Sequence, residues 1–183
     1  MSRSSLDTTL WAHPAHPSMA VDAIEARVER LSQTNLRVRY EALGRMADVV
    51  LPAAAARMRA NNLWRTTCFE LFLRGQHPTA YQEWNFSPSG QWAAYDFRAY
   101  REGMANAQTV GDPNIEAVIH ADRLVLDVRL SLNLLEQPYW FGLSAVIEER
   151  RVGKSYWGHH SSSEPDFHHE SCFRHELPPA RDR

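Results

Sequence analysis

Apolar and polar residues alternate from Ile24 onward, with Ile24, Ala26 and Val28 set between Glu25, Arg27 and Glu29, the period of a strand with one face buried. The same rhythm returns at Leu36, Val38 and Tyr40, interleaved with Arg37, Arg39 and Glu41. The polar link Ser32-Gln33-Thr34-Asn35 between the two runs predicts a hairpin turn. Residues 67–73 read Thr-Cys-Phe-Glu-Leu-Phe-Leu, apolar on both faces, which predicts a central strand covered on two sides. Tyr81 to Ser87 places Gln82, Trp84 and Phe86 on one face and Tyr81, Glu83, Asn85 and Ser87 on the other. Pro88-Ser89-Gly90 then forces a turn, and the chain returns from Gln91 to Phe97. Further strands are predicted at Ile115–His120, Leu124–Leu130, Phe141–Glu148, Ser155–His159 and Ser171–Leu177, with a single helical turn at Leu132–Leu135. The alanine-rich stretch from Ala53 to Asn62, preceded by Pro52, reads as a short helix or an irregular loop. Many short strands with hardly any helix predict an all-β, antiparallel sandwich or barrel.

Bulk properties narrow the picture without changing it. A chain of 183 residues fits one domain, with a core at about 20–177 and loosely held ends at 1–18 and 178–183. Hydrophobic residues at 44% and charged residues at 23% are those of a globular protein. A formal net charge of −2 gives no pull toward phosphate backbones, which argues against a nucleic-acid partner. No apolar run approaches the roughly 18 residues that span a bilayer, and residues 1–30 lack an export signal, so the expectation is a cytoplasmic protein away from membranes. Cys68 and Cys172 are too few for a disulfide framework and are read as free thiols.

Three groups of residues carry candidate chemistry. Trp64, Trp84, Trp92, Trp140 and Trp157 offer flat apolar faces suited to stacking on a ligand, though a sandwich buries most tryptophans in its core; Trp64 and Trp157 are the preferred ligand contacts. Glu83, Asn85 and Ser87 share one strand face, and Glu70 joins them if the register of the hairpin brings the same faces together. The competing reading is a solvated face with Glu70 paired to Arg65 or Arg98. As an acid and base pair on a glycoside, two such glutamates need carboxyls roughly 5 to 9 Å apart. His159, His160, Asp166, His168 and His169 crowd together near Cys172, and all are metal-ligand types. Their spacing matches no established metal motif, and the alternative is that Asp166 and His168 hold a loop over the sandwich mouth. Phosphate-cradling loops, nucleophile elbows and dinucleotide fingerprints are absent from the sequence.

The ordered set of motifs also resembles a known family. Residues 63–73 (Leu-Trp-Arg-Thr-Thr-Cys-Phe-Glu-Leu-Phe-Leu) and 81–92 (Tyr-Gln-Glu-Trp-Asn-Phe-Ser-Pro-Ser-Gly-Gln-Trp), with 94–97, 100–104, 145–149, 155–157 and 165–169, look like the bacterial DOMON-like sandwiches. Their wider relatives include family 9 carbohydrate-binding modules and haem- or sugar-binding DOMON domains. The resemblance implies a two-sheet sandwich with a ligand site on one face or rim, and it gives a fold more than an activity. The first expectation is a non-catalytic module that binds a small polar ligand, with a saccharide as the family-derived choice, through Trp64, Glu70, Glu83, Asn85, Tyr95, Trp157, His160, Asp166 and His168. The alternatives are an enzyme acting on a sugar-like substrate through Glu70 and Glu83 or a histidine-cluster metal site, and a protein-interaction sandwich. No cofactor is required. A divalent metal would fall to His160, His168 and Asp166, and a haem to His168 with Met104 or Met46.

Overall fold

The computed structural model describes residues 5–132, 138–159 and 163–177. Twelve strands carry the chain: β1 Ser5–Ala12, β2 Val21–Arg30, β3 Asn35–Gly44, β4 Cys68–Arg74, β5 Tyr81–Phe86, β6 Trp92–Phe97, β7 Ala105–Asn106, β8 Asn114–Ile119, β9 Arg123–Ser131, β10 Trp140–Glu149, β11 Gly153–Gly158 and β12 His175–Glu176. Only three short 3-10 turns accompany them among the described residues, and every strand pairing is antiparallel.

The hairpin of β2 and β3 shows how directly alternation becomes structure. Val28 pairs with Val38 and Ala26 with Tyr40 on the buried face, while Arg27 pairs with Arg39 on the outer one. The Ser32 hydroxyl closes the turn by accepting the backbone N–H groups of Thr34 and Asn35.

The ladder runs β7-β6-β5-β4-β10-β11-β1-β2-β3-β9-β8, with β12 on β10. The architecture is therefore one continuous curled sheet and not the two separate sheets expected from sequence. The join is β1, whose residues 5–10 pair with β2 while Trp11 and Ala12 pair with β11. Residues 5–12, expected to lie outside the core, are thus part of the sheet. Thr8 and Thr9 blur the apolar rhythm of the segment, yet Leu10 is fully buried and His13 nearly so.

Curling brings the two halves of the sheet face to face. Tyr40 on β3 packs its ring 5.0 Å from Phe69 on β4 and donates its hydroxyl to the Glu70 carbonyl at 2.7 Å. The main core fills the space between the halves, with Leu36, Val38, Leu71, Trp84, Phe86, Leu126, Phe141 and Trp157 among its members.

Two other segments settle their expectations: residues 53–62 follow the irregular-loop alternative, and one predicted strand is shorter than expected. Residues 53–62 form no helix: Met58, Arg59 and Ala60 run beside the start of β6, with Ala60 N–H donating to the Trp92 carbonyl. Arg59 lies 4.4 Å over the Trp92 ring and donates to the carbonyls of Ala94 and Ala107, contacts that a local helix would forfeit. The predicted strand over 171–177 shortens to β12, preceded by a 3-10 turn at Glu170–Cys172. The predicted helical turn at Leu132–Leu135 falls mostly outside the described residues, as does the terminus from 178. No helix among the described residues is long and apolar enough to cross a membrane.

Candidate functional site

β4, β5 and β6 are buried on both faces, because loops cover the side turned away from the core. A second, smaller cluster fills that side, containing Cys68, Phe72, Tyr81, Ala93, Tyr95, Phe97 and Phe173. Within it lies a cavity of about 890 Å³. Its floor is the outer face of the sheet, and the register explains its composition. Glu70 on β4 pairs with Ser144 on one side and Asn85 on the other, and the next row sets Phe72, Glu83 and Tyr95 side by side. Glu70, Glu83 and Asn85 therefore share one face, as the period of two requires. Glu70 is neither solvated nor paired with Arg65 or Arg98: it is 3% exposed and accepts the Ser144 hydroxyl at 2.7 Å.

Glu83 accepts the Asn85 amide at 2.6 Å and lines the cavity, whereas Asn85 stands behind it, 1% exposed. The Cys68 thiol also donates to Asn85, at 3.6 Å. Burial pushes both carboxyls above the ordinary glutamate range, and the charge of Glu83 pushes Glu70 further. Two adjacent buried acids thus favour sharing one proton.

The roof comes from three loops. Residues 61–64 supply Asn61, Asn62 and Trp64, residues 101–106 supply Arg101, Met104 and Asn106, and residues 165–168 supply Pro165, Phe167 and His168. Trp64 is 46% exposed at the mouth. Tyr95 donates its hydroxyl to Asn61 at 3.1 Å, tying floor to roof. His168 sits among Phe72, Tyr81 and Phe97. Its Nδ1 is 2.7 Å from the Tyr81 hydroxyl and its Nε2 is 3.7 Å from Glu83. Burial first, and the Arg101 charge second, hold its pKa down at about 4, so the ring is neutral at physiological pH. The Tyr81 hydroxyl also accepts the Arg101 backbone N–H, at 3.2 Å.

Asp166 does not line the cavity. It latches the roof, accepting Tyr100 at 2.6 Å, the Arg101 guanidinium at 3.0 Å and the His168 N–H at 3.1 Å. Two glycines let the roof lie close to the sheet. A Cβ on Gly158 would stand 3.0 Å from the Phe167 ring, and one on Gly142 would stand 2.5 Å from the Cys172 carbonyl oxygen.

Trp157 is the clearest correction to the expected ligand contacts. It is 2% exposed in the main core, where its indole N–H donates to Ser155, and its neighbour Tyr156 faces the cavity instead. Trp84 and Trp92 are likewise core residues, and Trp140 is partly buried against the smaller cluster. His160 lies outside the described residues.

The histidines do not gather at one point. His168 belongs to the cavity, His169 accepts the Ser171 N–H at the 3-10 turn, and His159 stands 3.3 Å from His175, nitrogen to nitrogen. Cys172 stays protonated, its pKa raised to about 11 chiefly by burial, and donates to the carbonyls of His159 and Asp166. Among the described residues no three histidine, cysteine, aspartate or glutamate side chains converge as a metal set. A haem does not fit the proposed ligands: Met46 is buried in the core, and both ring nitrogens of His168 face protein partners.

Arg101, Asn106, Tyr156 and Phe167 were not foreseen as lining residues; the parity of β11 alone would have separated Tyr156 from Trp157. A second cavity of about 450 Å³, lined by Gln82, Trp84 and Asp96 among others, holds Trp84 but none of the candidate acids or histidines of the cluster.

No family model matches the chain, and no curated protein matches its sequence. Two solved structures are similar to it in fold. One is a proposed carbohydrate-binding protein from Bacteroides uniformis, 11% identical over 91% of this chain and 83% of that one, with a TM-score of 0.66. The other is a family 9 carbohydrate-binding module from Caldicellulosiruptor kristjanssonii in complex with glucose, 13% identical over 94% and 86%, with a TM-score of 0.50. The chain has a carbohydrate-binding-module-like fold.

Proposed function

We propose that the chain is a DOMON-like binding domain whose two facing half-sheets act as the layers of a sandwich and whose outer-face cavity takes a saccharide. The observation that carries this reading is the cavity itself, about 890 Å³, with two buried carboxyls in its floor and aromatic faces around them. Sugars offer the complementary surface. Their hydroxyls donate to carboxylates, and their C–H faces stack on aromatic rings. The glucose bound by the family 9 module supports the ligand class, on a shared fold. In this reading Glu70 and Glu83 accept hydroxyls, Tyr95, Trp64 and Tyr156 supply faces, His168 offers its Nε2, and Asn85 and Asp166 position Glu83 and the roof. A concave site of this size also leaves the protein-interaction alternative without its main argument.

Isothermal titration of the chain with glucose and other monosaccharides tests the proposal. Saturable binding that Trp64→Ala and Glu83→Gln each weaken about tenfold supports it. Absence of binding to any monosaccharide at tens of millimolar overturns it.

The paired carboxyls favour one second reading, a glycoside-cleaving enzyme in which protonated Glu70 is the acid and Glu83 the base or nucleophile. Both acids rise from diagonal positions of neighbouring strands, roughly 7 to 8 Å apart at the backbone. The fold shared with carbohydrate-binding proteins puts binding first. Turnover of nitrophenyl glycosides, abolished by Glu70→Gln, would reverse that order.

A further inference from the structure

The charge and hydrogen-bonding character of the cavity narrow its ligand beyond a saccharide in general, an inference that rests on the saccharide reading above. The polar groups presented at the floor are two carboxyls that share a proton in the absence of a ligand. Glu70 is 3% exposed with one oxygen taken by Ser144, and no donor among the described residues reaches the other. Glu83 has one oxygen on Asn85 and the other at 3.7 Å from His168. No arginine or lysine among the described residues approaches either carboxylate within ion-pair distance. Arg101 in the lining is held 3.0 Å from Asp166, and its charge reaches Glu83 and His168 only from beyond ion-pair distance. Trp64, Tyr95, Tyr156 and Phe167 line the same cavity. Carboxyls and aromatic rings around one cavity attract a cation by charge and by ring quadrupole together.

We infer that the cavity selects a saccharide bearing a protonated amine, seated with its ammonium on Glu70 and Glu83 and its ring against the aromatic walls. The ammonium supplies a counter-ion in direct contact, where Arg101 acts on Glu83 only from a distance. Its arrival displaces the proton that the two acids retain in its absence, consistent with the raised pKa of Glu70. An N-acetylated sugar lacks that charge. A sugar carboxylate meets two acids.

Titration of the full chain near neutral pH with glucosamine, glucose, N-acetylglucosamine and glucuronate tests the inference. Glucosamine is expected to bind about tenfold more tightly than glucose, N-acetylglucosamine no better than glucose, and glucuronate most weakly. Glu83→Gln should bring the ratio of glucosamine to glucose affinity close to one. In buffers of differing ionisation enthalpy, glucosamine binding to the unaltered protein should release a proton and glucose binding should not, a readout independent of any variant's folding. Glucose bound as tightly as glucosamine overturns the amine preference and leaves the saccharide reading standing. No binding by any of the four removes both. A ratio unchanged in Glu83→Gln, or glucosamine binding without proton release, overturns the placement of the ammonium on the acid pair.

Discussion

Glu70 and His168 pull the pH dependence of stability in opposite directions. The folded-state pKa of Glu70 is raised, so its contribution is complete below the ordinary glutamate value and is lost as pH rises through the folded value. The folded-state pKa of His168 is lowered from 6.5 to about 4, so its contribution is complete above the ordinary histidine value and is lost as pH falls toward about 4. A tenfold change in proton affinity on folding corresponds to roughly 1.4 kcal/mol. Thermal melts across pH should therefore show a broad maximum where the two windows overlap, between about 4.5 and 6.5. Glu70→Gln is expected to flatten the alkaline side and His168→Gln the acid side; an unaltered alkaline slope in Glu70→Gln would mean that the carboxyl is ionised in the fold. At this scale parity along a strand is the legible signal. Glu70, Glu83 and Asn85 could be grouped from sequence because a pleated strand repeats every two residues, and the inward turn of Trp157 follows from the same rule applied to Ser155 and Trp157. The latch of Arg101 and Asp166 had no such signal, because nothing local relates positions 65 residues apart.

Among the elements, the roof over β4, β10 and β11 depends on the absence of side chains beneath it. Gly158→Ala should displace the Phe167 ring, costing about 1 to 3 kcal/mol of stability as an overpacked contact, and should weaken ligand binding by moving the cavity wall. Gly142→Ala meets backbone and should act more strongly, lifting the 170–173 turn. Asp166→Asn keeps the size of the latch but removes its charge, so amide exchange across 163–169 should quicken while β4 and β5 stay protected. Strands with clean alternation, β2, β3 and β9, were legible nearly to their ends. The stretch at 53–62 was not, because its structure comes from Arg59 on Trp92 and not from local preference.

For the molecule as a whole, the decisive element is the one whose own letters argued least for it. β1 gives Leu10 to the core and backbone pairs to both half-sheets, so its amides should exchange only through global unfolding, as slowly as those of β4. Exchange of residues 5–12 at the rate of a frayed end would contradict that role. The all-β antiparallel class was legible because many short alternating runs with hardly any helix leave few other architectures. The continuity of the sheet was not, since it rests on a shift of partner between Leu10 and Trp11 that leaves no mark in composition.

That shift of partner also sets an order of events. The β2–β3 hairpin closes over a four-residue link and the β10–β11 hairpin over a three-residue one, both within reach of microsecond search. The pairing of Trp11 with Gly158 spans most of the chain, and long loops must be ordered before such a contact returns anything. The seam is thus the step on which folding speed depends, and until it forms β2 and β11 each present an open edge on which a second unfinished chain can pair.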